Sequence, residues 1–177
     1  GTFGNTIINY TATASETYLK DDDGNPVASI WSVAYTKTRD KSSSSTNRPV
    51  TFVFNGGPGS ASVWLHMGLF GPQLVKVDSD AKEDDGAAPF ELVTNNYGIL
   101  DLTDLVFIDP VGTGYSRVIG KGKVEDYWGL MEDANSVAKF MRQWITENKR
   151  WNSPKYIAGE SYGTTRAAAV ANALEGG

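Results

Sequence analysis

A serine with a glycine two residues to either side, Gly159-Glu160-Ser161-Tyr162-Gly163, sits between the β-forming run Lys155-Tyr156-Ile157-Ala158 and an Ala-rich stretch from Thr164 to Leu174. That order leaves the chain few ways to fold. A strand must end in a tight turn and pass at once into a helix, so the serine is held on strained backbone while the glycines leave room for neighbouring chain. The helix that follows aims its unpaired N–H groups at the serine hydroxyl. Ser161 is thereby a candidate nucleophile.

Two further runs share this layout. Pro49-Val50-Thr51-Phe52-Val53-Phe54 ends in Asn55-Gly56-Gly57-Pro58-Gly59-Ser60, and Leu105-Val106-Phe107-Ile108 ends in Asp109-Pro110-Val111-Gly112-Thr113-Gly114-Tyr115-Ser116. Both read as buried strands that deliver a loop at their C-terminal ends. Glycines let backbone N–H groups approach a tetrahedral oxyanion closely, and the amides of Gly57 and Tyr162 are the natural pair for that task. Neither loop continues into G-K-[ST] or a complete G-x-G-x-x-G, which disfavours a phosphate cradle.

The remaining chain supplies a frame for these loops. From Glu125 to Arg150, apolar residues at 130, 131, 134, 137, 138, 141, 144 and 145 recur at helical spacing, and Asn152-Ser153-Pro154 ends the pattern. The Ala-rich helix closes at Gly176-Gly177. Strand, helix, strand, turn, helix is the α/β pattern with a parallel sheet. Ahead of it, residues from about 5 to 37 read as two or three antiparallel strands turning at Asp22-Asp23-Gly24-Asn25-Pro26, with Val27 to Tyr35 the longest. The polar run Lys41 to Asn47 is expected to be a hairpin loop rather than a linker, so residues 1–177 read as one domain.

Composition narrows the function. The chain has 177 residues, 40% of them hydrophobic, enough to bury a core. A net charge of -5 without any basic cluster speaks against nucleic acid or an anionic membrane as partner. The acidic stretch Asp78 to Asp85 reads as a solvated loop. There is no cysteine, which removes disulfides, thiolate zinc sites and a Cys nucleophile. No apolar run approaches the roughly 18–20 residues that span a bilayer. Asp101, Asp104 and Asp109 read as turn and strand-end residues rather than metal ligands, and neither a metal nor another cofactor is expected. Trp31, Trp64 and Trp144 are expected in the core, and Asn9-Tyr10-Thr11 fits a glycosylation sequon, a pattern that arises often by chance.

Taken in order, Arg48 to Ser60, Gly71-Pro72, Asp109 to Ser116 and Gly159 to Gly163 resemble the serine carboxypeptidase family, closest to its bacterial branch. The likeness runs from near the N-terminus to the end of the chain. It implies an α/β-hydrolase fold, with a mixed, mostly parallel sheet and flanking helices, and removal of C-terminal residues from peptides. On matching positions, Ser161 is implied to be the acyl-forming nucleophile, and the amides of Gly57 and Tyr162 the oxyanion hole. Asn55, Gly56 and Glu160 are implied to hold the substrate's terminal carboxylate. Glu160 could do so only when protonated, since two carboxylates repel, so activity should fall as it ionises at higher pH. Two positions depart from the family: Leu69 stands where well-known members have a Glu, and Val53 where they have a Trp. Both departures leave room for an esterase or acyltransferase on the same scaffold.

A serine hydrolase also needs a base and an acid to orient it, in the chain order Ser, Asp, His. The residues after Ser161 contain neither Asp nor His, and the only histidine, His66, precedes it on an expected short helix. His66 reads as structural or pocket-lining. The expectation is therefore an N-terminal part of a longer protein, inactive alone, whose C-terminal remainder carries Asp and His. A non-catalytic fragment is the alternative from another class. An unfinished sheet would expose an edge and favour aggregation or pairing with a second polypeptide. The expected setting is secreted or periplasmic.

Overall fold

The computed structural model describes residues 1–38, 47–77 and 88–176. Two short strands, β1 (Thr2–Phe3) and β2 (Thr6–Ile7), form a small antiparallel pair ahead of the long hairpin β3 (Tyr10–Lys20) and β4 (Pro26–Lys37). The hairpin turn is built by one side chain: Asp21 Oδ1 accepts the N–H groups of Asp23 at 3.1 Å and Asn25 at 2.7 Å, while Gly24 takes φ +82°. There follow β5 (Val50–Phe54), a single helical turn α1 (Val63–Leu65) that widens into a π turn over His66–Phe70, and the pair β6 (Gln73–Val75) and β7 (Leu92–Thr94). The remaining elements are β8 (Asp104–Ile108), β9 (Arg117–Val118), α2 (Leu130–Glu147), β10 (Lys155–Gly159) and α3 (Tyr162–Glu175).

One mixed sheet organises the molecule, in the order β10-β5-β8-β4-β3, with β9 also paired to β4. β10, β5 and β8 run parallel, and β4 runs antiparallel to β8 and to β3. Alternation along each strand sorts side chains to the two faces. Val50, Phe52, Phe54, Val106 and Ile108 join Val137, Met141, Trp144 and Val170 from α2 and α3 in one core layer. Val53, Leu105 and Phe107 join Phe3, Ile8, Leu65 and Leu100 in the other.

Three expectations are corrected. The segment after β4 does not close a hairpin: its residues 39–46 lie outside the described ones, but β4 and β5 are separated in the sheet by β8, a later strand that pairs with both. The acidic stretch 78–85 also lies outside the described residues. The helix expected over 125–150 is shorter at both ends, because Gly129 at φ +101° and Lys149 at φ +56° break helical backbone, and residues 124–127 form a separate 3₁₀ turn. Trp64 is exposed rather than in the core, since α1 is one turn long and Leu65 takes its inward face. Trp144 is buried as expected, and Trp31 half-buried.

At the far end of the sheet from the glycine loops, Asp104 opens β8 inside a buried cluster of charge. It accepts the Lys37 N–H at 2.9 Å, Arg48 Nε at 2.7 Å and Arg150 Nη1 at 2.6 Å. Arg150 also donates to the Arg48 carbonyl at 2.6 Å and to Ser153 Oγ at 2.7 Å. The cluster ties the starts of β5 and β8 to the segment leading into β10.

Candidate active site

Because β5, β8 and β10 are parallel, their C-terminal ends deliver all three motif loops to one edge of the sheet. Gly159 pairs with Phe54 in register, so the serine turn and the glycine loop leave the sheet side by side. Ser161 is exposed and sits at φ +56°, ψ -126°, backbone that a non-glycine residue adopts only under strain. The first bonds of α3 run from Gly163 N–H to Glu160 O at 2.8 Å and from Thr164 N–H to Ser161 O at 2.9 Å. The Tyr162 N–H precedes them and belongs to the unpaired set of a helix N-terminus.

Glycines hold the two loops together by steric necessity. A Cβ on Gly56 would come within 2.6 Å of Glu160 O, Tyr162 N and Gly163 N, and a Cβ on Gly159 would run into the carbonyl of Gly163. Gly57 and Gly59 take φ +107° and +98°, folding the loop back on itself. Asn55, buried at the loop's root, joins both sides through its side chain: Oδ1 accepts the Leu65 N–H at 3.0 Å and Nδ2 donates to Glu160 Oε2 at 3.3 Å. The structure thus gathers Asn55, Gly56, Glu160, Ser161 and Tyr162, and the chain turns through Gly57 directly after Gly56.

Asp109, from the third loop, fixes the far end of the glycine loop. Its Oδ1 accepts the Ser62 N–H at 2.8 Å and its Oδ2 accepts the Tyr115 N–H at 3.4 Å. Burial raises its carboxyl pKa above the ordinary value, and those two N–H groups pull the other way. Ser62 Oγ accepts the Asn55 N–H at 3.3 Å and donates to the Ile108 carbonyl, while Ser116 Oγ donates to the Asp109 carbonyl at 2.6 Å and accepts the Trp31 N–H at 2.7 Å. Asp104 and Asp109 thus both accept hydrogen bonds from within the fold.

His66 lines a small pocket of about 260 Å³ with Trp31, Ser62, Phe107 and Tyr115, and its ring is engaged within the fold. Its Nε2 shares a hydrogen bond of 2.7 Å with Tyr35 Oη, and its ring stacks on Phe107 at 4.4 Å. Burial lowers its pKa to about 4, so the ring is neutral. Tyr35 lies on β4, and β8 and β5 both stand between β4 and β10. Of the two departing positions, Leu69 is exposed on the π turn, whereas Val53 is fully buried in the core layer beneath.

Beside Ser161 a cleft of about 570 Å³ is lined by Tyr162, Gly59, Pro110, Thr113, Tyr127 and Trp128, among others. Its floor holds two charged residues that the sequence reading missed, Asp133 on α2 and Arg166 on α3. Arg166 Nε donates to Asp133 Oδ2 at 2.8 Å and Nη1 to the Asn55 carbonyl at 2.5 Å. A signal was available: Asp133 falls on the apolar stripe of α2 and Arg166 on the buried stripe of α3, where a charge needs a partner. Burial raises the Tyr162 hydroxyl pKa, with Asp133 adding to it.

Comparison with known proteins places this geometry. "Serine carboxypeptidase-like 51" of Arabidopsis thaliana is 32% identical over 117 residues, which is 65% of this chain and 22% of that protein. The "Carboxypeptidase Y homolog" of Arthroderma benhamiae is 32% identical over 114 residues, 64% of this chain and 20% of that protein. This chain therefore spans about a fifth of the length of these curated relatives. Among solved structures, the prohormone-processing carboxypeptidase Kex1 of Saccharomyces cerevisiae superposes with a TM-score of 0.67 at 23% identity, covering 92% of this chain and 33% of that one. The peroxisomal α/β-hydrolase Lpx1 of the same yeast gives 0.52 at 15% identity, covering 96% and 42%. Both likenesses show the α/β-hydrolase fold. Residues 31–175 match the family described as serine carboxypeptidase, and the chain belongs to that family.

Proposed function

We propose that this chain carries the nucleophile and the oxyanion hole of a serine-type carboxypeptidase that releases C-terminal residues from peptides. The observation that carries the reading is the packing of Gly56 against the backbone of residues 160–163, because it sets the amide-bearing loop against the serine turn. Ser161 Oγ adds to the scissile carbonyl carbon and gives its proton to a general base. The carbonyl oxygen becomes anionic between the N–H groups of Gly57 and Tyr162. The C–N bond then breaks as the base returns the proton to the leaving nitrogen, and water releases the acyl group by the same route. Asn55, Gly56 and Glu160 hold the terminal carboxylate. The aromatic cleft beside Tyr162 takes an apolar side chain of the acyl residue.

The base and its orienting acid come from polypeptide outside this chain, since His66 is engaged with Tyr35 and Phe107. The test is made on the full-length protein, with a fluorophosphonate label and a peptide substrate. The expected result is a label that maps to Ser161 and release of a free C-terminal amino acid, both abolished by Ser161→Ala. Ester hydrolysis through a labelled Ser161 without release of amino acids would replace peptidase by esterase. An unlabelled Ser161 would leave a non-catalytic scaffold.

A further inference from the structure

Arg166 is 1% exposed and lies one helical turn beyond Tyr162 on α3. Its guanidinium touches three separate elements. It pairs with Asp133 in the first turn of α2, donates to the carbonyl of Asn55 at the end of β5, and lies 5.0 Å from the ring centre of Tyr162 and 5.4 Å from that of Phe54. Asn55 and Arg166 are 111 residues apart in sequence. A planar fork that serves two acceptors while facing two rings is a task for arginine, since the lysine ammonium is a point charge on a flexible stem.

The contact to Asn55 has a directional consequence. In a planar trans peptide the C=O and the following N–H point in opposite directions, so a carbonyl drawn down onto a buried guanidinium turns the next N–H away from the core. That next N–H belongs to Gly56, whose peptide with Asn55 is trans. The neighbouring side chain is held independently, by Leu65 and Glu160. At Gly56 no side chain hinders this rotation, and its Cα is packed on the serine turn.

We infer that Arg166, anchored by Asp133, is a positioning residue that sets the Asn55–Gly56 peptide so that the Gly56 N–H faces the substrate's terminal carboxylate. The inference rests on the carboxypeptidase reading above. It separates Arg166 from the acyl-transfer machinery: the N–H groups of Gly57 and Tyr162 act on the scissile carbonyl, whereas Arg166 governs recognition of the free C-terminus through the peptide before them.

The experiment compares a peptide with a free C-terminal carboxylate and the same peptide amidated, on the full-length protein. Arg166→Lys is expected to lower the acid-to-amide ratio of kcat/KM about tenfold, mainly through KM for the acid, with fluorophosphonate labelling of Ser161 within about threefold of wild type. Because a lone change would leave a buried carboxylate unpaired, the paired variant Asp133→Leu/Arg166→Met is made alongside. An apolar pair of similar volume commonly replaces a buried ion pair without loss of fold, yet it still removes the donor to Asn55. It is expected to show the same fall in ratio. Equal losses on both substrates, or an unchanged ratio, in whichever variant folds, overturns the assignment. A wild-type protein indifferent to amidation overturns the carboxypeptidase reading instead.

Discussion

The backbone of Ser161 persists at positive φ only because the chain around it has no room for another arrangement, and that room is set by glycines. Gly56→Ala would force a Cβ to within 2.6 Å of three backbone atoms of the serine turn. Since misplacement of reacting groups by about 1 Å costs on the order of a hundredfold, labelling of Ser161 is expected to slow by about that factor in the full-length protein. Gly68→Ala, where an added Cβ meets nothing within 4 Å, is the matched control and should label normally. His66 makes a different prediction. Its folded pKa is depressed to about 4 from 6.5 by burial, so between those values the unfolded chain binds a proton that the folded chain does not. Stability therefore falls as pH drops through that window and flattens below it, by on the order of 2 kcal/mol once the ring's partial exposure is allowed for. Unfolding curves at several pH values check this, and His66→Gln should flatten the slope without removing Ser161 reactivity. At this scale the sequence exposed the residues that carry backbone geometry, Ser161, Gly56, Gly57 and Gly159. It hid Arg166, Asp133 and the part Asp109 plays between loops, because a charged residue announces its burial only through partners far away in the chain.

Strands and helices were legible wherever a local rule decides them. Val50–Phe54, Asp104–Ile108 and Lys155–Gly159 are apolar runs ended by turn residues, and α3 closes at Gly176 in the left-handed conformation, as a terminal glycine allows. What escaped was the insertion of β8 between β4 and β5, since strand order depends on pairing between distant segments and leaves no local mark. The buried cluster around Asp104 is part of what secures that order. Asp104 and Arg150 are each 2% exposed, and Arg150→Met would leave a buried carboxylate with one of its two arginines gone. A loss of about 3–5 kcal/mol is expected in denaturant unfolding. Asp104→Asn, which keeps hydrogen-bonding atoms, should cost less. An effect below 1 kcal/mol for Arg150→Met would show that the cluster is relaxed or hydrated in solution.

At the scale of the molecule, among the described residues, the strand that leads to Ser161 is also an end strand of the sheet. Among the described residues, β10 pairs with β5 on one side, and Tyr156 on it is largely exposed. An open edge of this kind recruits another strand. The isolated 177-residue chain is expected to self-associate with rising concentration in sedimentation velocity, and Tyr156→Lys to reduce it; a strictly monomeric chain would mean that the edge is protected. The place of β8 in the sheet has a temporal consequence as well. β4 and β5 are made first but have no bonds to each other, and the gap between them is filled only by a strand that leaves the ribosome some fifty residues later. Folding cannot zip forward from the N-terminus. The central parallel ladder must close over long loops, which is slow, and the serine turn joins it after that. During synthesis the turn that carries Ser161 thus acquires its geometry only after the sheet beneath it has closed.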